Sequence, residues 1–162
     1  MSELNPYAKF VDGRPVMETL AETPRTISSL LEKMGPGRAF EAPEPSKWSA
    51  GEIVAHLADC ELVFGFRLRQ TLAEDNPTVQ PFDQDKWSAT YKGIEPGVAF
   101  AAFEAFRRWN LRLLEVSMPT AAERKVTHPE RGTMTFQTIV ETMAGHDRNH
   151  LGQLERIANQ RA

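Results

Sequence analysis

His146 and His150 are the residues of this chain whose type and spacing point most directly to chemistry. They sit in a run from Phe136 to about Ala158, where Phe136, Ile139, Val140, Met143, Leu151, Leu154 and Ile157 recur at helical spacing. The two imidazoles fill the stripe positions between Met143 and Leu151. On a helix they share the inward face, with Cβ atoms ~6 Å apart. Two readings are open. Each ring can be a neutral core histidine whose nitrogens bond to neighbouring groups. Alternatively, the pair offers two nitrogens to one metal ion, as His at i and i+4 of a single helix does. The spacing is common, so the metal reading turns on a third ligand.

A second helical pattern supplies one. Ser49-Ala50-Gly51-Glu52 has the spacing of a capping box, with Trp48 before it as a hydrophobic staple. Ile53, Leu57, Cys60, Phe64 and Leu68 then make one stripe up to about Glu74, and His56 lies beside Leu57 on that stripe. Three nitrogens with an open position is the pattern of a catalytic metal site rather than a closed structural one.

Neighbouring polar residues have roles to weigh. Asp59, three residues past His56, is placed to accept the second N–H of that ring, or to pair with Arg67, Arg69 or Arg148. Gln153, three past His150, is in reach of a water on the metal. Cys60 is one turn beyond His56, where a thiolate ligand is conceivable, but a lone Cys on an apolar stripe reads as a small buried hydrophobe. Asp147 points about 100° from the ligand face and reads as surface or interface. Glu61 reads as structural, and His128, before Pro129, as part of a turn.

The elements that must carry these residues are four long helices, expected over about 15–34, 49–74, 97–118 and 135–160. In the first, Pro24 marks either a kink or a second start capped by Thr23, and Gly35-Pro36-Gly37 ends it. Asn5-Pro6 and Asp12-Gly13 mark a surface arm ahead of it. The third carries Phe103, Phe106, Leu113 and Leu114, with Arg107, Arg108 and Arg112 outside the stripe. Pro119 to Glu123 repeats capping-box spacing and suggests a short turn, and Val126 to Thr133 a loop or tight hairpin leading to Thr135 as N-cap. The connection from Asp75 to Pro96 is long, so it is either a packed loop with an aromatic plug or a lid. Asp85 to Tyr91 is expected to form a turn or two of helix with Trp87 and Tyr91 on one side, and Asp83 and Asp85 to be caps or solvated charges. The economical architecture is an all-α four-helix bundle, residues 1–162 forming one domain.

Composition excludes several classes. With 162 residues, 41% hydrophobic, 25% charged and a net charge of −3, the chain reads as an ordinary globular protein without a footprint for nucleic acid. No apolar run is long enough to span a bilayer. The single cysteine excludes an internal disulfide and fits a reducing, cytoplasmic compartment.

Several stretches, in order, resemble the DinB/YfiT-like superfamily, in particular its DinB_2 branch. They are Trp48-Ser49 through His56-Leu57-Ala58-Asp59-Cys60-Glu61 to Arg67-Leu68-Arg69, the loop His128-Pro129-Glu130-Arg131-Gly132 with Thr135, and Gly145-His146-Asp147-Arg148-Asn149-His150-Leu151-Gly152-Gln153. Asn5-Pro6-Tyr7 and Phe82-Asp83-Gln84-Asp85-Lys86-Trp87 extend the likeness over most of the chain. The resemblance implies an up-down-down-up bundle, often homodimeric, with a divalent metal on a histidine triad falling here on His56, His146 and His150. It also implies one of two activities: metal-dependent hydrolysis, or S-transfer or isomerisation with a low-molecular-weight thiol.

The chain offers no Ser/His/Asp set and no glycine-rich phosphate cradle, so catalysis would rest on the metal. Such a site lowers the pKa of a bound water from ~16 to ~7, or keeps a thiol ionised. The leading expectation is a metal-dependent S-transferase or hydrolase acting on a small electrophile. The alternative is a non-catalytic, stress-associated bundle in which the metal is structural. Zinc, nickel and iron all accept imidazole, so the histidines do not select the ion.

Overall fold

The computed structural model describes residues 4–11 and 13–160; Met1, Ser2, Glu3, Arg161, Ala162 and the Asp12 of the expected Asp12-Gly13 turn lie outside the described residues. A single 3-10 turn, Ala8–Phe10, precedes α1 (Val16–Ala39), α2 (Ala50–Ala73), the short α3 (Gln84–Ser88), α4 (Pro96–Ala121), the strands β1 (Lys125–His128) and β2 (Gly132–Thr135), and α5 (Phe136–Asn159). The expected helix boundaries fall close to these. No helix among the described residues is long and apolar enough to cross a membrane.

Local chemistry explains where the helices start. Ser49 accepts the Glu52 N–H while Glu52 accepts the Ser49 N–H, a complete capping box for α2. Thr135 caps α5 through the Thr138 N–H, and Asp83 caps α3 through the Lys86 N–H. Two expected interruptions, the kink or restart at Pro24 and the new turn from Pro119, are not observed. α1 runs unbroken through Pro24 and breaks only at Gly35, whose φ of 70° needs glycine, before a last turn ending at Ala39. α4 continues through Pro119 to Ala121 rather than restarting, because a proline in the final turn forfeits only one hydrogen bond.

The four long helices form an up-down-down-up bundle. Lys33 meets Asn159 and Arg38 meets Gln160, so α1 and α5 end together and run parallel. Gly51 approaches Pro96 at the opening turns of α2 and α4, making those two parallel as well. α1 packs antiparallel on α4, and α2 antiparallel on α5, while consecutive α1 and α2 face each other across the bundle diagonal. Parallel α2 and α4 require the chain to travel back the length of a helix, ~36 Å for 24 residues at 1.5 Å each. That is the physical reason for the long segment before α4. On the way it adds a one-residue parallel bridge, Thr78 with Thr127, to the edge of the β1–β2 hairpin.

The core has two clusters, one holding Ile27, Ile53, Leu57, Phe103, Leu151, Leu154 and Ile157, the other Leu20, Leu68, Leu114, Phe136, Val140 and Met143. The histidines stand between them. At the same level, Arg107 of α4 donates to Glu61 at 2.7 Å and to Asp147 at 2.6 and 3.0 Å, and Asn110 donates to Glu61 at 2.9 Å. This corrects two sequence expectations. Arg107 is 1% exposed and Asp147 2% exposed, rather than at the surface. A helix that touches three neighbours buries more than its apolar stripe, and two carboxylates from α2 and α5 compensate the buried guanidinium. Glu61, read as structural, is the α2 partner in that network.

Candidate metal centre

His56 on α2 and His146 and His150 on α5 are brought together, all three buried. His56 Nε2 lies 3.0 Å from His146 Nε2, and one ligand atom from each ring falls within 4.8 Å of the others. A tetrahedral ion with metal–nitrogen bonds of ~2.0–2.1 Å would set its ligand nitrogens ~3.3 Å apart, close to the His56–His146 separation, and the set as a whole would have to draw together from within 4.8 Å. Among the described residues, this is the group of His, Cys, Asp and Glu side chains so disposed.

Electrostatics keeps the rings neutral, the form that ligates. Burial, helped by the neighbouring His150, brings His56 down to about 3. Burial brings His150 down to about 4, against an opposing hydrogen bond with Gln153. His146 is held well below its ordinary value by burial, with His150, His56 and Arg107 adding to it.

The surroundings orient the rings. His150 Nδ1 pairs with Gln153 Oε1 at 3.0 Å; the amide oxygen accepts, so Nδ1 carries the proton and the lone pair sits on Nε2. Gln153 thus acts on a triad ring. Trp48 lies over both His56 (4.9 Å between centroids) and His150 (6.5 Å, near-parallel), a larger role than a staple. Asp59 makes no hydrogen bond to His56; it accepts the Tyr91 hydroxyl at 2.8 Å, fixing Tyr91 beside Trp48 and His56. In the long connection Tyr91 is therefore the buried plug, while Trp87 is 37% exposed and packs on Phe82 instead of sharing its side. The Cys60 Sγ is 3.5 Å from His56 Nε2 and 3.8 Å from His146 Nε2, but burial, then Asp59, Glu61 and Asp147, raise its pKa and keep it a thiol. His128 is buried at the end of β1, and its Nδ1 accepts the Glu130 N–H at 3.2 Å, the turn role expected of it.

The sequence reading missed Tyr7. The N-terminal arm folds onto α5, and the Tyr7 ring meets His146 edge-on at 5.1 Å. The signal was Gly145: a Cβ there would come 2.5 Å from the Tyr7 carbonyl oxygen, and a glycine inside an otherwise regular helix marks such a close approach.

A cavity of about 310 Å³ opens on the centre, with Cys60 and His146 in its wall. A larger one of about 540 Å³, walled by Trp48, Gln153 and Arg156, contains none of the three histidines.

An up-down-down-up bundle with a three-imidazole cluster between α2 and α5 defines the class of protein. The DinB superfamily pattern matches residues 19–154, and the chain belongs to that superfamily. A protein of Oceanobacillus iheyensis named "Putative metal-dependent hydrolase" is 24% identical over 144 residues, covering 88% of this chain and 83% of that one. A Bacillus cereus protein of the same name is 22% identical over 162 residues, covering 94% and 93%. The solved structure of YfiT from Bacillus subtilis, described as "a probable metal-dependent hydrolase with an unusual four-helix bundle topology", superposes with a TM-score of 0.81 at 21% identity, covering 88% of this chain and 83% of that one. That likeness shows the fold.

Proposed function

We propose that His56, His146 and His150 hold one divalent ion and that the protein is a metal-dependent enzyme acting on a small electrophile, as an S-transferase using a low-molecular-weight thiol or as a hydrolase. The observation that carries this reading is the convergence of three neutral, buried imidazoles from two helices within 4.8 Å. An ion there would supply Lewis acidity toward a water or a thiol. The chain's own residues bind and orient: Gln153 fixes the His150 tautomer, and Trp48, Tyr91 and Tyr7 wall the centre from water. The cavity reaching His146 favours a catalytic ion over a purely structural one, since a structural site is closed. Among the described residues no carboxylate hydrogen-bonds to the three rings, which favours the thiol route.

The same reading has the chain working as a homodimer in a reducing compartment. Phe66 and Val98, Trp109 and Val116 of α2 and α4 are each more than 60% exposed, an apolar face suited to a second copy.

The test is elemental analysis of protein purified without added metal, beside His56→Ala. The expected result is about one divalent ion per chain, lost in the variant. Absence of metal from both, even after reconstitution, would leave the rings as a hydrogen-bonded core and overturn the enzyme reading.

A further inference from the structure

The 310 Å³ cavity is charged in a way the triad does not require. Arg67 of α2 and Arg131 of the β-hairpin turn both line it, with His128 between them in sequence order and Glu130 as the one acidic side chain of its described wall. Arg67 is 9% exposed, and its Nη2 donates to the Gln80 carbonyl at 2.8 Å. Its Nε is buried and has no partner among the described residues. A buried guanidinium is costly unless its donors are met, and an anion in the cavity would supply an acceptor. Arg131 makes the cost greater, because the two cations repel across the cavity; burial and then Arg131 lower the Arg67 pKa. His128 adds a donor. Its Nδ1 accepts from the Glu130 N–H, so a neutral ring carries its proton on Nε2. Two guanidiniums and one imidazole N–H against one carboxylate leave a net positive, donor-rich pocket. His146 and Cys60 line the same cavity.

We propose that this cavity is an oxyanion subsite, in which Arg67, Arg131 and His128 hold the carboxylate or phosphate group of a small substrate whose remainder extends to the triad. Arginine pairs match such groups through paired N–H donors. The volume suits a compact molecule, at the small end of ligand pockets. The substrate class of the proposed enzyme is accordingly anionic. This inference rests on that functional reading for its second half, the approach to the triad, but the anion site itself stands without metal.

The experiment therefore uses the metal-free full chain, with metal content measured separately. Succinate, its neutral isostere succinamide, and inorganic phosphate are titrated calorimetrically into wild type and Arg131→Gln. Arg131 is half-buried on the hairpin turn; wild-type discrimination between succinate and succinamide needs no variant should that one fail to fold. The expected result is binding of succinate or phosphate at least tenfold tighter than succinamide, weakened at least tenfold in Arg131→Gln. Tighter succinate assigns the site to planar carboxylates, and tighter phosphate to tetrahedral anions. Equal affinity for succinate and succinamide without phosphate binding, or anion binding unchanged in a folded Arg131→Gln, overturns the proposal. A protein that binds anions here but takes up no metal keeps the subsite and loses the enzyme reading.

Discussion

The Leu20 carbonyl accepts a hydrogen bond from Arg107 Nη1 at 2.8 Å, across the α1–α4 contact. That carbonyl lies four residues before Pro24, which has no N–H to offer it. The proline that looked like a helix break therefore creates an orphan acceptor inside a continuous helix, and Arg107 satisfies it. The same guanidinium pairs with both Glu61 and Asp147, so one side chain ties α4 to the three other long helices.

Replacing Arg107 by Met leaves two buried carboxylates without their cation and the Leu20 carbonyl without its donor, while Asn110 still donates to Glu61. The expected loss is about 3–5 kcal/mol of unfolding free energy, read by urea denaturation. A loss below about 1 kcal/mol would mean that the network relaxes or hydrates and does not hold the bundle.

Gly145→Ala and Gly152→Ala test the arm. At Gly145 the added methyl meets the Tyr7 carbonyl, so about 1–3 kcal/mol should be lost and Tyr7 should move off His146. At Gly152 the nearest atom is the tip of Arg156 at 3.7 Å, so alanine should be neutral or stabilise by up to about 1 kcal/mol. Thermal melts of both, with the Tyr7 environment followed by NMR, check this; equal behaviour of the two would contradict the packing.

The metal-free protein should lose stability in mild acid. His56 and His150 titrate at about 3 and about 4 in the folded state, and His146 well below its ordinary value, whereas unfolded histidine takes its proton near 6.5. Both states are neutral above that pH, so the stability is fully present there. As pH falls from about 6.5 toward about 4 the unfolded state binds protons that the folded state refuses, costing up to about 1.4 kcal/mol per pH unit for each ring. Urea midpoints between pH 7 and 5 measure the slope, and converting the three rings to glutamine should flatten it to the share of His128, also lowered by burial, and the opposing share of Asp147, raised by burial. An unchanged slope would mean that the rings protonate freely.

Gln153→Leu removes the acceptor of the His150 Nδ1 proton. If the triad holds an ion, affinity should fall about 10–100-fold with the fold intact, and Gln153→Glu should retain or raise it. Competition with a chromophoric chelator reads both, and equal affinities for wild type and the leucine variant would remove Gln153 from the site.

Much of this protein is legible without coordinates. The capping box at Ser49, the Thr135 cap and the apolar stripes are local or periodic features, so they determine the four long helices and turn His56, His146 and His150 inward. A histidine in a stripe position must face what its helix packs against. What the stripes do not encode is which helix lies opposite which, because every apolar face is chemically alike. Tertiary structure decided that consecutive α1 and α2 sit diagonally, and it paired Arg107 with Glu61, Asp147 and the Leu20 carbonyl. It laid Tyr7 over His146, gave Asp59 to Tyr91 instead of His56, and gathered Arg67, His128 and Arg131 around one cavity. Each of these joins residues from separate elements, through a hydrogen bond, a ring contact or a shared cavity wall, and such contacts exist only once the backbone has brought the partners within reach.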